Sequence, residues 1–391
     1  MKERLWIRAG KLYTPRCVYD GATVVARAGL IQGVLPGDQA APAAGDVVID
    51  AREHIVAPGL IDIHVHGGGG HDTMDATPEA LDGLAAFHAR HGTTALLPST
   101  VAASPEEVHR ALEAVEEAMA RPPAGARVLG AHVEGPFLNP ARRGAHVERQ
   151  VRSPDRARDD WLTRHQAAIR RITLAPELPG ALELIRDMRA GGVLVSLGHS
   201  APSEDVLQQA LMAGASHVTH LFNAMSTLEK MGPLRRVGLA EYALVCDGLT
   251  VEVIGDGLHL PFALVQLIVR AKGASQVALV TDAMRAAGLP DGRYQLGGMA
   301  ATVRGGMAVT DEGGLAGSVA TMDQLVRNAV AGVGLPLAQA LEMATLTPAR
   351  ILGIAARQGE IAVGKAADFV ILDRALRVVE TIVDGNVMRD A

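Results

Sequence analysis

Ala57-Pro58-Gly59-Leu60-Ile61-Asp62-Ile63-His64-Val65-His66, continued by four glycines from Gly67 to Gly70, reads as a short buried strand that ends in two metal-type side chains. Pro58-Gly59 punctuates its start. Leu60, Ile61, Ile63 and Val65 supply an apolar run of strand length, and the glycines let the backbone turn away at once. Side chains two apart on a strand share a face, so His64 and His66 project together. Alone, the pair fits ordinary polar residues at a strand exit as well as half of a divalent metal site.

The texture around that run decides between the two. From residue 57 onward, short apolar strands alternate with Ala/Leu-rich helical stretches. Strands are expected to end near His66, Ser99, Glu134, Glu177, His199, His220, Ile254 and Asp282. Helices are expected over 78–91, 104–120, 180–190, 203–213 and 261–272, several opened by Thr77-Pro78, Ser104-Pro105 or Ser203 as caps. Eight β-then-α units are the pattern of an α/β protein of the TIM (β/α)8 barrel class. Beyond strand eight, residues 292–314 suggest a hairpin excursion, and helices resume at 321–333 and 336–344. Residues 1–56 are β-rich with turn signals, and the texture returns to β at 359–391. The expected organisation is a barrel over 57–358 and one small β-sandwich domain built from both chain termini, 1–56 and 359–391.

Composition narrows the function classes. The 391 residues are 48% hydrophobic and only 3% aromatic, so the core is built from Ala, Val, Leu and Ile. A net charge of −6 offers no basic stripe, which argues against nucleic acid. Cys17 and Cys246 are too far apart for a disulfide framework or a thiolate site. Met1-Lys2-Glu3-Arg4 opens without an apolar leader, and no uncharged run reaches membrane-spanning length. The expectation is a soluble cytoplasmic protein with no membrane partner.

Barrel active sites are assembled at strand C-termini. The polar residues expected there are His64 and His66, Glu134, His199, His220 and Asp282, all of types that bind Zn²⁺ or Fe²⁺. Five strands ending in such groups is not a coincidence that satisfied core residues produce. His132 shares a face with Glu134 and suits a supporting or packing role, as does His217. His54, His88, His91, His109 and His165 are expected to be solvated. No Gly-x-Ser-x-Gly elbow and no phosphate-binding Gly-Lys loop is present. Strand four ends without a lysine, so Glu134 takes the bridging or central place among the ligands.

Several runs together carry a resemblance: Pro58 to Gly67, His132-Val133-Glu134-Gly135-Pro136-Phe137-Leu138-Asn139-Pro140 leading to Gly144-Ala145-His146, Gly198-His199-Ser200, His220-Leu221-Phe222-Asn223-Ala224-Met225, Asp256-Gly257-Leu258-His259, Thr281-Asp282-Ala283-Met284 and Leu315-Ala316-Gly317-Ser318. The chain resembles the amidohydrolase superfamily, and within it the N-acetylglucosamine-6-phosphate deacetylase family, over nearly its full length. The resemblance implies hydrolysis of the N-acetyl group of an amino sugar with one or two divalent ions, Zn²⁺ first and Fe²⁺ as the alternative. Glu134, His199 and His220 would hold the main ion, and His64 and His66 would offer a second position. Asp282 would carry the proton and His146 would polarise the carbonyl. Ala145, His146, Asn223, Ala224, His259, Leu315, Ala316 and Gly317 would line the sugar phosphate.

The resemblance also implies a homodimer. One departure stands out. Where the family carries a phosphate-clamping Arg, a gapless alignment places Met231, which lacks the bidentate fork that suits phosphate. Either Lys230, Arg235 or Arg236 substitutes, or the substrate is a non-phosphorylated or different N-acyl compound. A non-catalytic relative is disfavoured because the ligand positions and Asp282 are all intact.

Overall fold

The computed structural model describes residues 4–14, 17–37 and 42–388. The chain ends used in the sequence reading, 1–3 and 389–391, lie outside the described residues. Strand and helix alternate from the quoted run onward. Eight parallel strands follow one another as Leu60–Val65, Thr93–Pro98, Ala131–Glu134, Ile169–Leu174, Leu194–Leu197, His217–Val218, Thr250–Ile254 and Val277–Val280. The last six form one sheet in sequential order. Leu60–Val65 pairs with Thr93–Pro98, which pairs in turn with Arg127–Val128, the start of strand three. Strand three is broken at Gly130, where φ is +144° and a Cβ would stand 2.5 Å from the carbonyl oxygen of Ala168.

Backbone bonds link the two sheets at both of their free edges. A parallel bridge joins Ser99 to His132, and the N–H of Asp282 donates to the carbonyl of His64 at 2.9 Å. Beside that second link the buried carboxylate of Asp62 accepts from the N–H and the hydroxyl of Thr281. Strand one is thereby held in register with the strand that delivers Asp282.

Helices Pro78–Arg90, Pro105–Ala120, Ala181–Ala190, Glu204–Ala213 and Phe262–Lys272 separate the strands close to their expected bounds. The Thr77 and Ser203 side chains accept from Ala80 and Val206, and Ser104 forms a reciprocal capping box with Glu107. Pairing also confirms the excursion after strand eight, as three antiparallel strands over Gly292–Thr310.

Both ends of the chain meet in a single seven-stranded sheet. Across it the strands run Asn386–Val387, Val378–Val383, Phe369–Leu372, Val47–Pro58, Arg4–Tyr13, Val18–Arg27 and Leu30–Pro36. The sheet curls around its own core of Leu5, Ile7, Leu12, Val24, Ile31, Phe369 and Ile382, until Leu30 on one edge bridges to Ala366. The terminal strands thus form a sheet of their own, separate from the parallel strands, with a core of its own.

Two histidines expected to be solvated are buried. His88 falls seven residues after Leu81 on the apolar stripe that includes Leu84 and Ala85, so the helix turns it inward. Its Nε2–H donates to the carbonyl of Gly67 at 3.0 Å. His165 is buried between Glu116 and His109, at 2.9 Å and 2.6 Å. The glycines after His66 do more than let the backbone turn: they also make room for close neighbours. A Cβ at Gly67 would meet the carbonyl of His71 at 2.4 Å, and one at Gly68 would meet the Phe87 ring at 2.5 Å.

Burial pulls the His88 imidazole down to about 4, against the smaller opposing effect of its bond to Gly67. The unfolded chain binds a proton here below about pH 6.5 and the folded chain does not, so this stability is present above that pH and is lost as pH falls toward 4. We expect His88→Asn to flatten the pH dependence of unfolding free energy in that window by up to one proton, about 1.4 kcal/mol per pH unit. Denaturant titrations at several pH values read the difference directly, and parallel curves would contradict it.

Candidate metal centre and substrate cavity

Five side chains from four other strand ends converge around the two oxygens of Glu134. His199 Nε2 and His220 Nε2 each lie 3.2 Å from Glu134 Oε1 and 3.0 Å from one another. On the other side, His66 Nε2 and His64 Nε2 lie 3.2 Å and 3.5 Å from Glu134 Oε2, and 3.2 Å from each other. Asp282 Oδ1 completes this second group at 3.2 Å from His66 and 3.5 Å from His64. Nitrogen and oxygen donors around a tetrahedral ion sit roughly 3.3 Å apart, given metal–ligand bonds of about 2.0–2.1 Å. Both groups have that spacing.

Proton positions show why a cation fits. His66 Nδ1 lies 3.1 Å from the carbonyl of Ser99 and His199 Nδ1 lies 2.9 Å from the carbonyl of Arg142. A carbonyl only accepts, so each Nδ1 carries the hydrogen and each neutral ring turns a lone pair on Nε2 toward the carboxylates. Lone pairs facing carboxylate oxygens repel unless positive charge lies among them. The metal-free alternative is protonation. Burial disfavours charge on His64 and His66, yet Glu134 and Asp282 outweigh it, raising His64 and bringing His66 to about 9. Metal binding must therefore displace protons.

His146 is built the opposite way. Its Nδ1 accepts from the N–H of Ala102 at 3.1 Å, so the hydrogen sits on Nε2, 3.5 Å from Glu134 Oε2. Burial holds this imidazole near a pKa of about 4. It is a neutral donor aimed at the centre rather than a ligand. Asp282 is also buried; that alone would raise its carboxyl, but His64 and His66 hold it below the usual carboxylate range. Three of the converging residues, His199, His220 and Asp282, have positive φ angles of 49°, 25° and 48°. Strained backbone of this kind persists only where surrounding structure imposes it.

A cavity of about 410 Å³ opens beside these groups. Ala145, Asn223, Ala224, His259, Leu315 and Gly317 line it with His146, whereas Ala316 does not. Ala316 is fully buried against Met284 and Ala308, with its N–H bonded to the Ala308 carbonyl at 3.0 Å. His259 Nδ1 donates to Asp256 Oδ2 at 2.7 Å; burial opposes its charge, but that bond prevails and raises its pKa. Arg142 also lines the cavity, its guanidinium 3.3 Å from Glu229. Met231, Lys230, Arg235 and Arg236 lie outside the lining, on a hairpin of Glu229–Met231 with Leu234–Arg236. A larger cavity of about 620 Å³ lies elsewhere, but the Asp159 and Asp187 carboxylates on its wall are paired with Arg152 and Arg156.

Residues 55–388 match the family model described as "Amidohydrolase family". The chain is 37% identical to the N-acetylglucosamine-6-phosphate deacetylase of Bacillus subtilis, over 86% of this chain and 85% of that one. This chain belongs to the N-acetylglucosamine-6-phosphate deacetylase family of amidohydrolases. Within the family it is 38% identical to an N-acetylgalactosamine-6-phosphate deacetylase of Escherichia coli O157:H7, over 87% of this chain and 89% of that one. The Mycobacterium smegmatis N-acetyl-D-glucosamine-6-phosphate deacetylase, solved as an Asp-to-Ala variant in complex with N-acetyl-D-glucosamine-6-phosphate, superposes with a TM-score of 0.90 at 33% identity, covering 99% of this chain and 100% of that one.

Asp282, read from the sequence as a strand-end group of metal-binding type, stands among the ligand atoms. Other residues of this family member escaped the sequence reading. Arg142 enters the cavity from the run between Glu134 and His146, a basic pair whose position in that loop was the available signal. Arg171 and Glu252 lie inside strands four and seven and gave no local signal. Glu134→Ala should empty both donor groups, because each uses one of its oxygens. Elemental analysis of the purified variant checks this, and a variant that keeps a full complement of ions would overturn the donor set.

Proposed function

We propose that the chain removes the acetyl group of N-acetylglucosamine 6-phosphate, giving glucosamine 6-phosphate and acetate. The observation that carries this is the pair of donor groups sharing Glu134, with Asp282 and the Nε2–H of His146 turned toward the same point beside the cavity. Glu134, His199 and His220 would hold one divalent ion, zinc before iron, and His64, His66 and Asp282 a second with the other oxygen of Glu134. An ion there lowers the pKa of water toward neutrality and polarises the acyl oxygen.

The chain's own groups do the rest. Asp282, kept ionised, accepts the proton of the attacking water and returns it to the departing amine, which leaves poorly unprotonated. His146 donates Nε2–H to the oxygen on which negative charge develops. The phosphate end is assigned to His259 and to Arg142, whose planar fork makes the paired bonds that Met231 cannot. Asn223 braces the loop, its side-chain nitrogen donating to the carbonyls of His220 and Leu221.

The wider architecture follows from the same reading. The two parallel sheets are taken as one closed (β/α)8 barrel over 57–358, with the terminal segments 1–56 and 359–391 as its companion domain. The exposed side chains Leu228, Met231, Leu234 and Val237 around the hairpin suit a homodimer contact. Two cysteines, Cys17 and Cys246, far apart in sequence with no paired spacing, suit a cytoplasmic setting.

The similarity to a galactosamine-directed relative makes the C4 epimer the natural competitor substrate. We expect kcat/KM for N-acetylglucosamine 6-phosphate to exceed that for the unphosphorylated sugar by about a hundredfold, worth roughly 2.7 kcal/mol, and to exceed that for the galactosamine epimer. Arg142→Ala should shrink the phosphate preference at least about tenfold. Equal rates with and without phosphate would sink the assignment. Asp282→Asn should cost about 10²- to 10⁴-fold in kcat while the folded state persists; unchanged turnover would remove Asp282 from the proton path.

A further inference from the structure

Three of the four converging histidines have a partner on the ring nitrogen that faces away from the centre, and the partners differ. His66 and His199 donate to backbone carbonyls. His220 Nδ1 is buried with no partner. His64 alone faces a carboxylate, with Nδ1 at 2.8 Å from Glu252 Oε1.

Glu252 is fully buried, and both of its oxygens are doubly engaged. Oε1 takes His64 Nδ1–H and the backbone N–H of His220 at 3.0 Å; Oε2 takes Arg171 Nη1 at 2.5 Å and His217 Nε2 at 3.3 Å. Arg171 is equally saturated, donating to Ser196 Oγ, Thr219 Oγ1 and the carbonyl of Ile63. The pair thus ties five strands together directly beneath the ligands, touching the residues immediately before His64 and before His220. Stability alone does not explain such a pair, because apolar replacements of buried ion pairs are often neutral or stabilising.

We propose that Glu252, held by Arg171, is a positioning residue that confers ion binding on the His64–His66–Asp282 half of the centre. This rests on the reading of two donor groups given above. A carboxylate behind an imidazole fixes its tautomer and raises the basicity of the opposite nitrogen, and losing such a partner costs about 10- to 100-fold in metal affinity. With Glu252→Gln the amide oxygen stays on Arg171 and the amide NH₂ faces His64 Nδ1. That ring then carries its hydrogen on Nε2, at the position the ion needs. The same exchange also takes the acceptor from the His220 backbone N–H, but no side-chain partner of the Glu134 Oε1–His199–His220 half is changed, and that half is expected to bind its ion still.

The test is zinc stoichiometry by elemental analysis and zinc affinity by chelator competition, on wild type, His64→Asn, Glu252→Gln and the double variant, with thermal unfolding of each metal-free protein alongside. We expect two equivalents in wild type and one in each of the three variants, the double losing no more than His64→Asn. If wild type binds one equivalent and His64→Asn leaves it unchanged, the two-group reading fails. If wild type binds two, His64→Asn one and Glu252→Gln two at unchanged affinity, the role of Glu252 fails while the two-group reading stands. Loss of both equivalents in Glu252→Gln would show a general structural role and overturn the proposal. Should Glu252→Gln not fold, Glu252→Asp keeps the charge for Arg171 but stops a methylene short of His64. It is expected to weaken the second equivalent at least tenfold and leave the first, whereas equal effects on both, or none, overturn the assignment.

Discussion

Six electron-rich groups cannot share a few ångströms without a cation, and everything around Glu134 exists to hold them there. His64, His66, His199 and His220 bring ring nitrogens, while Glu134 and Asp282 bring oxygens at 3.2–3.5 Å from those nitrogens. Outward-facing acceptors decide which ring nitrogen is bare. Ser99 and Arg142 do so through carbonyls, and His146 is reversed by a backbone N–H from Ala102. One donor hydrogen moved from one side of a ring to the other separates a ligand from an electrophilic helper.

The strands supply the positions and the backbone supplies the aim. His199, His220 and Asp282 adopt left-handed conformations just beyond their strand ends. The Arg171–Glu252 pair, and Asp62 against Thr281, fasten the same neighbourhood from below. Residues alternate along strand four, so Ile172 and Leu174 face the helices while Arg171 and Thr173 turn the other way. The polar contents of the strand interior are therefore a consequence of ordinary strand geometry.

What could be read from the sequence was whatever acts locally. The His64-Val65-His66 run needs only a two-residue period, and the helix caps at Thr77, Ser104 and Ser203 need only their neighbours. Strand ends at Glu134, His199 and Asp282 follow from where apolar runs stop. Other features depend on distant partners. Arg171 follows another arginine in a mixed strand and Glu252 is a lone charge in an apolar one; they are 81 positions apart, and nothing local links them. His88 was misjudged although its spacing from Leu81 and Leu84 was visible, because a polar residue on a helix was given to solvent without checking its face. Met231 drew attention through a gapless alignment, yet that side chain lies on the hairpin and Arg142 occupies the cavity wall.

The seven-stranded sheet has a consequence for how the chain is made. Its strand Val47–Pro58 runs, through Gly59 alone, into the strand that carries His64 and His66, and it is flanked by Arg4–Tyr13 on one side and Phe369–Leu372 on the other. During synthesis that strand waits with one edge bare until more than three hundred further residues have left the ribosome. The N–H of Gly59 finds its acceptor, the carbonyl of Asp368, only then. The first histidine pair is among the earliest parts of the centre to be translated and among the last to have its supporting strand fully paired, so the growing chain carries an open strand edge for most of its assembly.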